Sequence, residues 1–180
     1  MNNCIRLIVI AGILYLAFLS GCSNEAEEDV SIVINEFMVR NTNTSDFADC
    51  LGNHEDWVEL YNTGTKDVLM SKVYISDKSD DLLKTRLHDT IIPPGGYYLL
   101  WGGDFTCEHN NHIGFNFDAT DTTQPEKIII SNGKGFIIDS FSYMEVPQAC
   151  EPNKSYGRNP DGSENWKQQV APTPGSANEN

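Results

Sequence analysis

Apolar and polar residues alternate along most of the chain, and this alternation predicts short β-strands joined by turns. Residues 56–62 (DWVELYN) alternate strictly, which places Glu59 on one face of a strand and Leu60 on the other. Two further apolar segments flank residues 132–135 (NGKG), a sequence that predicts a β-hairpin. No segment shows the apolar spacing of a long helix. The pattern as a whole therefore predicts an all-β sandwich.

The same pattern assigns the individual strands. We expect them at residues 31–38, 56–62, 68–76, 85–92, 97–101, 113–117, 127–131 and 136–143. By composition, the tail from residue 155 is a loop with one last strand near Trp166. In this tail we expect Gly157 to let the backbone turn. We expect Arg158 to pair with a carboxylate across the sheet.

The N-terminal 21 residues follow a different pattern, typical of an export signal. They contain one basic residue, Arg6, then an uncharged apolar run over residues 7–19, then the small residues Ser20 and Gly21. Cys22 follows directly, so that this junction resembles the lipobox of bacterial lipoproteins. The resemblance implies that the thiol of Cys22 carries a diacylglycerol and that the signal is cut before it. An uncut membrane helix and a plain secretory signal are the alternatives.

These features divide the chain into three parts: a signal peptide (residues 1–21), an acidic tether (22–29) and one domain (30–178). The acidic tether resembles the surface-export signal of certain bacterial lipoproteins; a segment that is simply solvated is the alternative. We expect a protein held by lipid in the bacterial cell envelope, at the outer membrane and exposed at the surface.

Charge narrows the classes of partner. The chain has 12 basic and 26 acidic residues, a formal net charge of −14. This excess argues against binding nucleic acid, whose phosphates need a basic face, and against binding anionic lipid headgroups through the domain surface. No second apolar run approaches the length that spans a bilayer. The lipid is therefore the expected contact with the membrane.

Several sequence blocks occur together in a recognisable order. They are residues 34–38 (INEFM), 56–62 (DWVELYN), 92–97 (IPPGGY), 155–158 (SYGR) with 160–162 (PDG), and 173–178 (TPGSAN). Together they resemble the bacterial lamin-tail domain. The resemblance implies an immunoglobulin-like β-sandwich of the lamin-tail type over residues 30–178, without a catalytic centre. It also implies an interaction or anchoring module, whose partner here we expect to be another envelope protein.

Alternation of strand direction predicts which loops lie together. If consecutive strands run antiparallel, loops 41–55, 77–84 and 104–111 share one end of the sandwich. Cys50 and Cys107 then lie at that end, whereas Cys150 follows a strand that runs to the opposite end. We therefore predict a Cys50–Cys107 disulfide with Cys150 unpaired; pairings with Cys150 are the alternatives.

The same loops collect acidic side chains, which makes them a candidate metal site. The candidate ligands are Asp46, Asp49, Glu55, Asp56 and Asp104. Clustered carboxylates suit Ca²⁺, which takes six to eight oxygen ligands, although no segment has the spacing of a known calcium loop. Solvated acids are one alternative, and a zinc site built from the cysteines and neighbouring histidines is another. No other cofactor is expected.

Catalytic motifs are missing from the sequence, which contains no Gly-x-Ser-x-Gly, no His-Glu-x-x-His and no glycine-rich phosphate loop. Glu36 and Glu59 are the one pair that suggests a glycosidase, but contact between neighbouring strands explains them more simply. The sequence thus predicts a non-catalytic, lipid-anchored interaction module. The alternative is a surface glycan- or small-ligand-binding protein, which uses the acidic loops with or without calcium.

Overall fold

The computed structural model describes residues 30–104, 111–120 and 126–179, and this part of the chain is built from strands, turns and short 3₁₀ helices. The strands are β1 (Ile32–Met38), β2 (Trp57–Asn62), β3 (Val68–Leu69), β4 (Val73–Ser76), β5 (Thr85–Arg86), β6 (Ile91–Ile92), β7 (Tyr97–Trp101), β8 (Ile128–Asn132), β9 (Ile137–Phe141), β10 (Tyr156–Arg158) and β11 (Trp166–Gln168). The 3₁₀ helices are Met70–Lys72, Tyr143–Glu145 and Pro147–Cys150.

The strands form two packed antiparallel sheets. One has five strands in the order β11-β10-β1-β2-β7, the other has four in the order β5-β4-β8-β9, and β3 and β6 form a separate pair. Apolar side chains from both sheets are buried in one core, with Ile34 and Leu60 from the first sheet and Ile75 and Ile130 from the second. The structure confirms the all-β, immunoglobulin-like sandwich that the alternation predicts.

Three predicted strands differ from the structure. Residues 68–76 do not form a continuous strand, because the turn at Met70–Lys72 carries the chain from the β3–β6 pair into the four-stranded sheet. Residues 85–92 are divided in the same way into β5, which belongs to the four-stranded sheet, and β6, which pairs with β3. Residues 113–117 form no strand: only His112 makes a bridge, with Trp101, and the N–H of Phe117 donates to the carboxylate of Asp56. The tail contains β10, which composition did not predict.

A β-bulge at Asn35 interrupts the pairing of β1 with β2. Ile34 lies opposite Leu60, but Glu36 lies opposite Glu59, so Asn35 has no partner on β2. The bulge directs both backbone groups of Ile34 to side chains. Its N–H donates to Asp139 at 2.9 Å, and its carbonyl accepts a hydrogen bond from Arg158 at 2.8 Å.

Arg158 and Asp139 link the two sheets. Arg158 lies on β10 of the five-stranded sheet, and its guanidinium contacts the Asp139 carboxylate on β9 of the other sheet at 2.9 Å. The side chain of Arg158 is only 4% exposed, and it packs over the ring of Trp166. The predicted pairing of Arg158 with a carboxylate is confirmed, although the partner belongs to the opposite sheet.

We predict that Arg158→Leu lowers the free energy of unfolding by about 3–5 kcal/mol, because it leaves the Asp139 carboxylate without its cation. The matched control is Arg86→Leu, which removes an arginine that is 58% exposed and pairs with Asp89 at 3.8 Å. For the control we expect a change below about 1 kcal/mol. Urea denaturation of the two variants measures both values. Equal losses would show that Arg158 does not connect the sheets.

Candidate functional site

A hydrogen-bonded group of buried polar side chains lies on the outer face of the five-stranded sheet, around the bulge. Glu36 and Glu59 are neighbours across β1 and β2, and neither carboxylate is exposed. They point away from the core because Leu60 and Val58, which alternate with Glu59, point into it. Residues 173–178, which we call the C-terminal strap, cover this face.

Backbone and side-chain donors of the strap form hydrogen bonds with the two buried glutamates. The N–H and hydroxyl of Thr173 donate to Glu36, at 3.2 and 2.8 Å. The N–H of Gly175 donates to Glu59. At the far end of the strap, the amide of Asn178 donates to the carbonyl of Arg158 at 2.7 Å. The carboxylates therefore hold a segment of the same chain.

Asn35, the bulged residue, joins this cluster to the turn at residues 159–163. Its amide nitrogen donates to Glu59 at 3.2 Å and to Asp161 at 3.0 Å, and its amide oxygen accepts the N–H of Gly162. Tyr97 donates its hydroxyl to Asp161 from β7. Neither Asn35 nor Asp161 was predicted as a site residue, although both lie in the blocks that carry the family resemblance.

Burial changes the ionisation of the cluster. Removal from water raises the pKa of Glu59 to about 8, although the N–H of Gly175 and the amide of Asn35 favour its charged form. Burial also raises the pKa of Glu36. Both carboxyls are covered by the strap and engaged by its donors, which supports a structural role for this pair and not that of a glycosidase.

Gly157 has a different role from the one predicted. It has no positive φ, and so the backbone does not need glycine in order to turn there. A Cβ atom at this position would lie 2.8 Å from the amide of Asn178 and 3.0 Å from the carbonyl oxygen of Asn35. Glycine is needed because the strap and the bulge approach β10 closely.

The predicted loops do meet at one end of the sandwich, which we call the acidic loop end. The N–H of Gly102 donates to the carbonyl of Asp56 at 2.7 Å. The hydroxyl of Thr85 donates to the carbonyl of Ile113 at 2.7 Å. The ammonium of Lys84 lies 3.9 Å from the ring centroid of Phe115. These contacts join residues 41–56, 77–85 and 102–117 where they are described.

Two of the candidate metal ligands organise loop backbone. Asp49 is buried and accepts the N–H groups of Leu51 and Asn53, each at 2.8 Å, and it contacts His112 at 3.1 Å. Burial opposes its charge, but the bonds from Asn53, Leu51 and His112 outweigh that effect and lower the pKa of Asp49. Asp56 accepts the N–H of Asn41, and burial raises its pKa to about 7.

The other three candidate ligands are less enclosed. Asp46 and Asp104 are exposed, and Glu55 is half-buried with its carboxylate against Gly103. Among the residues that the structure describes, no group of three or more His, Cys, Asp or Glu side chains is placed to hold a metal ion. A calcium site at this end stays a prediction without support from the described geometry.

The cysteines require one correction. Cys150 lies at the acidic loop end and not at the opposite end. β9 runs toward the acidic loop end, because it is antiparallel to β8 and β8 is antiparallel to β4. Just after Cys150, the N–H of Asn153 donates to the carbonyl of Arg40, which precedes the first loop of that end. The predicted direction was wrong because residues 113–117 were counted as a strand. The Cys150 thiol is free and half-buried, and burial raises its pKa.

Cys22 and Cys107 lie outside the described residues, so lipidation and the Cys50–Cys107 pairing stay predictions. The contact between Asp49 and His112 supports the pairing. It joins the immediate neighbour of Cys50 to the chain five residues after Cys107.

Comparison with known proteins gives one result. The family model of the Lamin Tail Domain matches residues 25–145. A search of curated proteins finds no match. β10, β11 and the C-terminal strap continue the sandwich beyond the matched residues. Within the described residues, no helix has the length and apolar character needed to cross a membrane.

We predict that the free energy of unfolding falls as the pH rises from about 4.5 to about 8, because folded Glu59 keeps its proton in this range and unfolded Glu59 loses it. Asp56 contributes the same trend only up to about pH 7. Glu59→Gln should therefore flatten the fall between pH 7 and 8, measured by urea denaturation. Glu164→Gln, at a side chain that is 96% exposed, is the control. An unchanged slope in Glu59→Gln would contradict the assignment.

We predict that peptide mapping without reduction recovers Cys50 joined to Cys107, and that Cys150 reacts with an alkylating reagent once the chain is unfolded. The expected pair follows from the Asp49–His112 contact and the free thiol of Cys150. Recovery of Cys107 joined to Cys150 would overturn the prediction.

Proposed function

Because the chain belongs to the lamin tail domain family, we propose that it is a non-catalytic, lipid-anchored domain that docks another protein of the bacterial cell envelope. The immunoglobulin-like fold of the family is that of a protein-interaction module. We propose the outer membrane, with exposure at the cell surface, as its location. Anchoring through Cys22 and the identity of the partner go beyond the family assignment.

The observation that carries the proposal is the separation of the two ends of the sandwich. The described chain begins at Val30, and the carbonyl of Ser31 accepts the N–H of Thr63 in the turn after β2. This turn and the turn at residues 93–96 meet through Asn62, which bonds the backbone of Gly95 and Gly96. We call this the entry end. A lipid on Cys22 holds the entry end toward the membrane and presents the acidic loop end outward.

The charge of the acidic loop end indicates the kind of partner. Residues 41–56, 77–84 and 102–104 include eight acidic and two basic residues. Asp46, Asp80, Asp81 and Asp104 are exposed. Such a surface attracts a cationic surface on another protein and speeds its approach. We therefore propose that the partner contacts this end through lysine and arginine side chains.

We propose that the domain is non-catalytic because the only neighbouring carboxyl groups in the five-stranded sheet are buried. Glu36 and Glu59 are buried under the C-terminal strap and accept its N–H groups. A glycosidase pair must face a substrate across an open cleft.

We predict that cross-linking in intact cells, followed by purification of the tagged protein, enriches one dominant envelope protein. Asp46→Asn, Asp80→Asn and Asp104→Asn combined should abolish that enrichment, because they remove exposed negative charge. The matched control combines Asp67→Asn, Asp89→Asn and Glu164→Gln, three exposed acids outside the acidic loop end.

Membrane fractionation of the Cys22→Ala variant accompanies this experiment, and we expect that variant to leave the membrane fraction. Its retention would refute the lipid anchor. Equal loss of the partner in both charge variants would refute the acidic loop end as the contact. No enriched protein at all would favour the glycan-binding alternative, which a glycan array then tests.

A further inference from the structure

We propose that the entry end of the sandwich is a lipid-contacting surface, which lies against the phospholipid headgroups of the membrane that holds the protein. This inference rests on the proposed anchor at Cys22 and adds to it a defined orientation and a second contact. It concerns the turns at residues 62–72 and 86–96 and the hairpin at residues 132–137.

Contacts along the backbone place these three segments at the same end. Leu69 on β3 lies opposite Ile91 on β6. The N–H of Met70 donates to the carbonyl of Thr90. Three residues later, Val73 begins β4 and lies opposite Asn132, the last residue of β8. The hairpin tip after Asn132 therefore projects from the same end as the β3–β6 pair.

Exposed apolar side chains are concentrated at this end. Seven large apolar side chains are exposed in the described part of the chain, and four of them lie here: Leu69, Ile91, Phe136 and Ile137. Phe136 is 59% exposed, Ile137 54% and Ile91 60%. Phe136 and Ile137 follow directly after the tip of the hairpin between β8 and β9. Apolar side chains at such a position gain free energy when they enter the headgroup region.

The charge of this end differs from that of the chain as a whole. The three segments include four basic residues, Lys66, Lys72, Arg86 and Lys134, against two acidic residues, Asp67 and Asp89. The net charge of −14 argued against contact with anionic headgroups, but these three segments have a net charge of +2, so the net negative charge lies elsewhere in the chain. The segments at the entry end thus contain both basic and exposed apolar side chains, a combination that favours phospholipid surfaces.

The position of the proposed anchor indicates that the entry end faces a membrane. The tether at residues 22–29 has eight residues, which can span at most about 28 Å. The described chain begins beside the turn at Thr63, as the bond from Thr63 to Ser31 shows. A lipid at Cys22 therefore keeps the entry end within a short distance of the bilayer. The acidic loop end lies at the far end of strands β1 and β2 and is held away from it.

Two tryptophan substitutions test the orientation directly. Phe136→Trp marks the entry end, and Leu51→Trp marks the acidic loop end; the two side chains are equally exposed, each at 59%. Each mature, lipidated variant, which begins at Cys22, is reconstituted into vesicles of phosphatidylethanolamine and phosphatidylglycerol with brominated acyl chains, which quench tryptophan nearby. Fluorescence of the unsubstituted protein is subtracted. We expect most of the added fluorescence of Phe136→Trp to be lost and that of Leu51→Trp to be kept.

Flotation of the same vesicles separates failure of this inference from failure of the anchor. If the lipidated protein floats with the vesicles and Phe136→Trp keeps its fluorescence, the anchor stands and the lipid-contacting surface is refuted. Greater quenching of Leu51→Trp would refute the orientation in the same way. If the protein with Cys22 intact does not float, the anchor is refuted and this inference fails with it.

Discussion

The fold depends on the single extra residue in β1. Because Asn35 has no partner on β2, the backbone of Ile34 turns to Asp139 and Arg158, and the side chain of Asn35 turns to Glu59 and Asp161. The first set of bonds connects the two sheets, and the second connects the sheet to the turn after β10. One irregularity in the hydrogen-bond ladder thus supplies donors and acceptors to contacts between distant parts of the chain.

This arrangement contains buried carboxyl groups, which need hydrogen bonds or a proton in order to be stable. Glu36 and Glu59 have lost their water, which is costly unless hydrogen bonds replace it or a proton neutralises the charge. The strap supplies the hydrogen bonds through Thr173 and Gly175, and the raised pKa of Glu59 shows that it also retains a proton near neutral pH. The C-terminal residues are therefore as much a part of the sandwich as its strands, although they pair with none of them.

Much of this fold follows from the alternation of side chains, because a strand with one face on a core repeats every two residues. Residue alternation made the strand at residues 56–62 and the hairpin at residues 132–135 predictable. A carboxylate partner for Arg158 was expected from the charge of its side chain and not from alternation. The bulge at Asn35 was not predictable, since it depends on which residues of β2 lie opposite. Nor was the reason for Gly157, because contact with Asn178 joins residues that are distant in sequence.

One incorrectly predicted strand changed the predicted direction of the strands that follow it. Counting residues 113–117 as a strand reversed the direction assigned to every strand after it, and so Cys150 was placed at the wrong end. Burial of Ile113 and Phe117 produces the sequence pattern of a strand, but this segment meets a strand only at the end of β7, where the N–H of Ile113 donates to the carbonyl of Trp101. The carbonyl of Ile113 and the N–H of Phe117 bond to side chains, those of Thr85 and Asp56. Apolar spacing reports burial, whereas chain direction depends on pairing. The loops that collect at the acidic loop end are consequently larger than the pattern indicated, and they include residues 102–120 and 142–154 where described.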